Sequence, residues 1–265
     1  MIVERTVTTS QGAFRVLDAG AGWPVLLIHA FPLSAEMWRP QLESVPQGWR
    51  YIAPDLRGFG GSPAGPEPPT MDDYAADLES VLDALGVETA AIGGLSMGGY
   101  ATFALHRRAP ERFTSLVLAD TRAEADTPEG REGRRAMSAL VKDRGVGAVA
   151  DSMIPKLLGE RSRNGDLAPL VRGLIEANSV TGVDHAIHAL MTRPDSSGDL
   201  PALRLPVLVV VGEEDGLTPK ADSERMIRAT ERSQLVVLPG AGHLSNLEAP
   251  EAFSTALANF LRSSL

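Results

Sequence analysis

The hydrophobic pattern changes character twice within the first fifty residues. The stretches ERTVTTS (4–10) and AFRVLD (13–18) alternate apolar and polar side chains, which predicts two half-exposed strands with Gly12 in the turn between them. WPVLLIHA (23–30) is instead a near-continuous apolar run, the pattern of a strand covered on both faces. SAEMWRPQLESV (34–45) then reads as a helix capped by Ser34 and interrupted or kinked at Pro40. WRYIAPDL (49–56) is the next strand and ends in the glycine-rich turn RGFGGS (57–62). TMDDYAADLESVLDALG (70–86) predicts a helix with Thr70 as its N-cap, Asp72 and Asp73 at its positive end and Gly86 just past its C-terminus.

The same alternation continues through TAAIGGL (89–95, strand), MGGYATFALHRRA (97–109, helix) and FTSLVLAD (113–120, strand). It resumes with PVLVVVGEED (206–215), PKADSERMIRAT (219–230), SQLVVLPG (233–240) and PEAFSTALANFLRSS (250–264). Strands alternating with helices imply an α/β fold, a parallel sheet with helices on both faces. Between residues 121 and 200 the rhythm breaks. No β-branched apolar run occurs there, while EGREGRRAMSALVKDRG (129–145) and DLAPLVRGLIEANS (166–179) are helical. This divides the chain into a core of residues 1–120 and 201–265 and a helical cap or lid of residues 121–200.

Composition narrows the function classes. A chain of 265 residues with 43% hydrophobic and 22% charged positions is an ordinary single soluble α/β domain. A net charge of −9 without a basic stripe argues against nucleic acid as a partner. The absence of cysteine excludes disulfides, thiolate catalysis and cysteine-ligated zinc. No stretch reaches the ~18–20 apolar residues of a membrane helix, and the N-terminus lacks a signal-peptide core, so a cytoplasmic location is expected.

The most specific chemical signal is AIGGLSMGGY (91–100), which holds Gly94-Leu95-Ser96-Met97-Gly98 between a strand and a helix. A strand turning sharply into a helix exposes the serine hydroxyl on a strained apex. Flanking glycines admit the close approach, and the helix start aims N–H groups at a developing oxyanion. A serine nucleophile needs a base oriented by an acid, and after this elbow the chain order is serine, acid, histidine.

His106 sits in the last turn of the helix following Ser96, where a cation suits the helix terminus. His185 and His188 form an H-x-x-H pair beside Asp184, but no third ligand and no H-E-x-x-H pattern supports a metal. His243, in the flexible loop after the last strand, is the base candidate. Among Glu213, Glu214 and Asp215 at the end of the preceding strand, the turn DGLTP favours Asp215, and the two glutamates read as solvated loop charges. Asp120, ending the strand before the insertion, is the second candidate for the acid. His29 precedes the nucleophile and reads as scaffold. RGFGGSP lacks a third glycine at dinucleotide spacing and is a structural turn in which Asp55 or Ser62 binds exposed amides.

Taken in order, HAFPLS, PDLRGFGGS, GLSMGGY, GEEDGLTP and GAGHLSNLEAPEAF resemble the α/β-hydrolase superfamily over residues 13–263. The wording is most similar to its oxoadipate enol-lactonase-like and small carboxylesterase branch, with cofactor-free haloperoxidase-type esterases close in pattern. The resemblance implies an eight-stranded, mostly parallel sheet with a cap inserted after the sixth strand. It also implies Ser96, Asp215 and His243 as the triad, and the backbone N–H groups of Phe31 and Met97 as the oxyanion hole. The usual His-Gly-x-Pro of that branch is here His29-Ala30-Phe31-Pro32, with a methyl group where glycine is expected.

The expected activity is hydrolysis of small carboxylic esters or lactones through an acyl-enzyme, with no metal or organic cofactor. Candidate selectors in the cap and pocket wall are Phe31, Trp38, Met97, Met153, Leu157 and Met191, with ordinary core packing the better expectation for each methionine. Few arginines can be placed in the pocket from the sequence, so charge does not secure a dicarboxylate lactone. Competing readings are perhydrolysis or haloperoxidase-type chemistry with the same triad, a lyase using the triad as acid and base, and a ligand receptor without turnover. Oligomeric state is not encoded in any of these patterns.

Overall fold

A computed structural model describes residues 1–264. Eight strands form one sheet in the order β1-β2-β4-β3-β5-β6-β7-β8. They are β1 (Ile2–Thr9), β2 (Gly12–Gly20), β3 (Gly22–Ile28), β4 (Gly48–Pro54), β5 (Ala90–Leu95), β6 (Phe113–Ala119), β7 (Val207–Gly212) and β8 (Ser233–Leu238). β2 runs antiparallel to both of its neighbours, and every other pairing is parallel. The burial follows the sequence pattern: β1 is mostly exposed at the sheet edge, while β5 and β7 are buried at every position.

The core helices are α1 (Arg39–Glu43), α2 (Met71–Ala84), α3 (Met97–Arg108), α8 (Lys220–Ala229), α9 (Ser245–Glu248) and α10 (Pro250–Ser263). α2 packs on α3, and α1 packs on α10, with the sheet between these two groups. Thr70 caps α2 through a reciprocal box: its hydroxyl accepts the Asp73 N–H, and the Asp73 carboxylate accepts the Thr70 N–H at 2.8 Å.

The segment after β3 departs from the expected helix. Ala35–Trp38 is a 3₁₀ turn, and Pro40 lies in the first turn of the separate α1, where its missing N–H leaves no bond unmade. Ser34 occupies the N-cap position but makes no capping bond; the Ala35 N–H is taken by Asp55 Oδ1 at 2.7 Å. Asp55 also accepts the Gly61 N–H at 2.9 Å, and Ser62 Oγ bonds the Asp55 carbonyl, so the RGFGGS turn is fixed by its own polar groups.

Helices take up most of the interval from β6 to β7. They are α4 (Pro128–Leu157), α5 (Glu160–Arg163), α6 (Leu167–Glu176) and α7 (Val180–Thr192). α4 is broken at Gly145, whose φ of 76° and ψ of 179° leave the helical region, so its two halves take different directions. α4 packs on α6 and α7. Among the described residues no helix is long and apolar enough to cross a membrane.

Candidate active site

Ser96 stands at the turn from β5 into α3 with φ 55° and ψ −113°, a conformation costly for any side chain other than glycine. The surroundings over-determine it. The Ser96 N–H donates to the Ala119 carbonyl at 2.9 Å, and its own carbonyl accepts the Thr121 hydroxyl at 2.9 Å. Strand and helix meet so closely that a Cβ at Gly94 would collide with the Gly98 backbone, and one at Gly98 with the Ile28 carbonyl. Glycine at these two positions is therefore a steric requirement of the elbow.

The loop after β8 brings His243 across the top of the sheet. Its Nε2 lies 2.8 Å from Ser96 Oγ, and its Nδ1 lies 2.9 Å from Asp215 Oδ2. Asp215, in the loop after β7, accepts the N–H groups of Leu217 and Thr218 on Oδ1 and the Thr218 hydroxyl on Oδ2 at 2.6 Å. Burial works to raise the Asp215 carboxyl, but the facing His243 charge and the bonds from His243 and Thr218 outweigh it, leaving it below its ordinary value. Thr218 was not singled out in the sequence, although the D-x-x-T spacing of DGLTP is the pattern of a side chain tying down its own turn.

Asp120, the alternative acid, is placed elsewhere. It is fully buried with φ 43°; its Oδ1 accepts the Gly212 N–H at 2.8 Å, and its Oδ2 accepts the Ser245 hydroxyl. Burial and the nearby Asp215 charge push its carboxyl well above its ordinary value. Through its two bonds it ties together the strand end bearing Asp215 and the helix that follows His243. Glu213 and Glu214 are exposed, yet they do more than face solvent: they accept the N–H groups of Gly240 and Glu160, respectively.

The N–H groups of Phe31 and Met97 donate to no protein acceptor among the described residues. Ala30 is buried and is not among the residues with positive φ, so its methyl group is accommodated without backbone strain. His29 is fully buried, with Nδ1 2.9 Å from the Ala30 carbonyl and Nε2 accepting the Leu56 N–H at 3.0 Å. These bonds fit the neutral ring, and burial holds it below its ordinary value.

The unfolded chain therefore takes up a proton at His29 as pH falls through about 6.5, before the folded protein does. Stability from this group is complete above that pH and is lost progressively below it. The melting temperature is expected to fall between about pH 7 and about pH 5 more steeply in the wild type than in His29→Gln. A wild-type slope no steeper than the variant's would remove His29 from the acid sensitivity.

A cavity of about 350 Å³ opens at Ser96 and His243, with Phe31, Tyr100 and Met153 in its wall. The other candidates lie elsewhere, Met97 in the core as expected of a methionine. Trp38 is buried against Phe253, Met97 and Leu157 are core, and Met191 lines a separate recess with His188. Arg122, Arg134 and Lys156 all line the cavity, cations that the sequence did not place there. Arg122 pairs with Asp222 at 3.3 Å and Arg134 with Asp126 at 3.1 Å; Asp126 is shared with the buried Arg193, at 2.7 Å. Lys156 has no ion-pair partner among the described residues. Asp184 is engaged by Ser138 and Lys142 rather than by a site with His185 and His188.

Residues 24–151 match a family model described as alpha/beta hydrolase fold, and residues 189–264 match one described as TAP-like protein. A thermophilic esterase from Thermogutta terrifontis, solved with malate bound, superposes with a TM-score of 0.92 at 41% identity, over 100% of this chain and 99% of that one. An AB hydrolase superfamily protein of Bacillus subtilis is 30% identical over 94% of this chain and 95% of its own. The 3-oxoadipate enol-lactonase 1 of Acinetobacter baylyi is 29% identical over 86% of this chain and 84% of its own. Identity of this level across whole chains, on a sheet of this order, identifies the protein as a member of the α/β-hydrolase family.

Proposed function

We propose that the protein hydrolyses carboxylic esters, lactones included, through an acyl-enzyme on Ser96. The observation that carries this reading is the continuous hydrogen-bonded line Ser96–His243–Asp215 opening on a cavity. Ser96 Oγ attacks the ester carbonyl carbon while His243 Nε2 takes its proton; Asp215 holds the Nδ1 proton and offsets the imidazolium charge. The carbonyl oxygen becomes an oxyanion facing the unbonded N–H groups of Phe31 and Met97, each such donor contributing about 3–4 kcal/mol in the transition state. His243 returns the proton to the departing alkoxide. Water, deprotonated by the same nitrogen, then releases the acid and restores the serine. Residues 121–200 act as a cap, supported by the cavity lining they contribute, from Arg122 to Leu190.

The cationic wall supports a finer reading: the preferred esters carry an acidic group remote from the scissile bond. Three cations and one carboxylate line the cavity, on a chain whose net charge is −9. The names of the Acinetobacter and Thermogutta relatives, one an oxoadipate enol-lactonase and the other solved with malate, point to acidic compounds on related frames.

The test is turnover of short p-nitrophenyl esters and labelling of Ser96 by a fluorophosphonate. If the folded protein shows neither, the esterase reading fails. Peroxide added with acetate measures the perhydrolase alternative directly. Lys156→Ala is expected to lower kcat/KM for a monoester of a dicarboxylic acid by on the order of 10-fold, while a neutral ester of equal length changes less than about 2-fold. Equal losses on both substrates would discard the charge preference.

A further inference from the structure

Asn178 is buried between the insertion and the core, where no catalytic step requires it. It follows α6, and its side-chain Nδ2 donates to the Pro32 carbonyl at 2.9 Å and to the Leu174 carbonyl at 2.9 Å, with Ile175 at 3.3 Å. Its Oδ1 accepts the Gly60 N–H at 2.9 Å. The amide is only 7% exposed, so each of these bonds is made away from water and is costly to lose. Asparagine is suited to the place because one side chain supplies a donor and an acceptor on a single short stem.

Pro32 directly follows Phe31, whose N–H is one of the two candidate oxyanion donors. The loop carrying them belongs to no strand or helix. From the core side it is held by the Leu33 N–H on the Ala30 carbonyl at 2.9 Å and by the Ala30 N–H on Met37 Sδ at 3.1 Å. From the insertion side it is held by Asn178. The pyrrolidine ring fixes φ at Pro32, leaving one torsion fewer between its carbonyl and Phe31 to take up a displacement.

The start of α7 lies against the same seam: a Cβ on Gly182 would collide with the Gly58 carbonyl oxygen. Two contacts four residues apart in the insertion thus bear on the turn and the loop beside the nucleophile.

We propose that Asn178 is a positioning residue that couples the seating of the helical insertion to the oxyanion loop, setting the place of the Phe31 N–H through the Pro32 carbonyl. The inference rests on the esterase reading above. It goes beyond that reading by making the insertion part of the rate-determining geometry as well as the pocket wall. Oxyanion donors act only within a few tenths of an ångström of their working distance, and a misplacement of about 1 Å can cost about 100-fold in rate.

The experiment compares wild type, Asn178→Asp, Asn178→Ala and Gly182→Ala on p-nitrophenyl acetate. Active sites are counted by fluorophosphonate titration, so partial misfolding does not enter the rate. Asn178→Asp keeps an acceptor for Gly60 but presents an oxygen to Pro32, and is therefore the decisive variant. Per active site, kcat is expected to fall about 10- to 100-fold in both Asn178 variants, with KM within about 2-fold. Gly182→Ala, which wedges the same seam by a different route, is expected to show the same kcat-selective loss. Unchanged kcat per active site in Asn178→Asp overturns the proposal, as does a loss appearing only in KM, which would make the contact a matter of substrate binding. Failure of the wild type itself to turn over the ester overturns the esterase reading, a result distinct from wild type and Asn178→Asp being equally active.

Discussion

Ser96→Ala is expected to lower kcat on short p-nitrophenyl esters by about four to six orders of magnitude, leaving KM within a few-fold. The variant removes the hydroxyl proposed to form the covalent bond, whose oxygen lies 2.8 Å from His243 Nε2. The Phe31 and Met97 amides remain, so hydrolysis should stay about 10³-fold or more above the uncatalysed rate. The fold should tolerate the change, because the strain at φ 55° is imposed by the backbone and alanine is no worse than serine there. The measurement is steady-state kinetics with intact-mass detection of the fluorophosphonate adduct, present in wild type and absent in the variant. A variant retaining more than about one per cent of wild-type kcat would place the nucleophile elsewhere or make the reaction non-covalent.

Asp215→Asn is expected to cost about 10⁴-fold in kcat near neutral pH, whereas Asp120→Asn should stay within about 3-fold of wild type. The two carboxyls are both buried, but their partners differ. Asp215 receives the His243 Nδ1 proton and lies below its ordinary value, so it acts as an anion. An amide there can turn its NH₂ toward Nδ1, favouring the tautomer whose Nε2 proton faces Ser96 and cannot accept another. Asp120 makes no bond to His243: it accepts from the Gly212 N–H and the Ser245 hydroxyl, and asparagine keeps the acceptor for Gly212 while its NH₂ can donate to a reoriented Ser245 hydroxyl. Kinetics of the two variants side by side decide the matter. If Asp120→Asn is the crippled one, the acid has been misassigned.

The parts legible in the sequence are those whose determinants are local. The apolar runs of β3, β5 and β7, the Thr70 capping box and the glycine spacing about Ser96 each lie within a few residues, and the structure builds the elements they indicate. Chain order and loop position also pointed to Ser96 and His243 and favoured Asp215 over Asp120, and the structure brings Ser96, His243 and Asp215 together.

What escaped depends on how the insertion lies over the core. Arg122, Arg134 and Lys156 are ordinary charges on and beside helices until α4 is folded across the sheet top, and only then do they face a cavity. Trp38 and Leu157 resemble pocket walls by type, yet both are packed in the core. Ser34 sits where a capping residue belongs and loses the role to Asp55, a competitor from a distant strand end. Asp120 and Asp215 each end or follow a buried strand, and only their hydrogen-bond partners tell the carboxyl that faces His243 from the one that clamps Gly212 and Ser245.

β6 and β7 pair directly, Leu116 beside Val207, although the whole insertion intervenes in the chain. The chain entropy of closing such a loop grows only with the logarithm of its length, so doubling or halving it changes stability by only about 0.6 kcal/mol. The sheet thus perceives the insertion almost solely through its two ends, and helices can be exchanged there without shifting strand register. Bonds between the insertion and the core limit that freedom, those near the active site above all. The Leu157 carbonyl and the Gly159 N–H bond the His243 loop through Leu244 and Glu248, and Asn178 holds the loop before α1. A transplanted insertion must restore those few bonds; its remaining sequence is at liberty to drift toward new substrates.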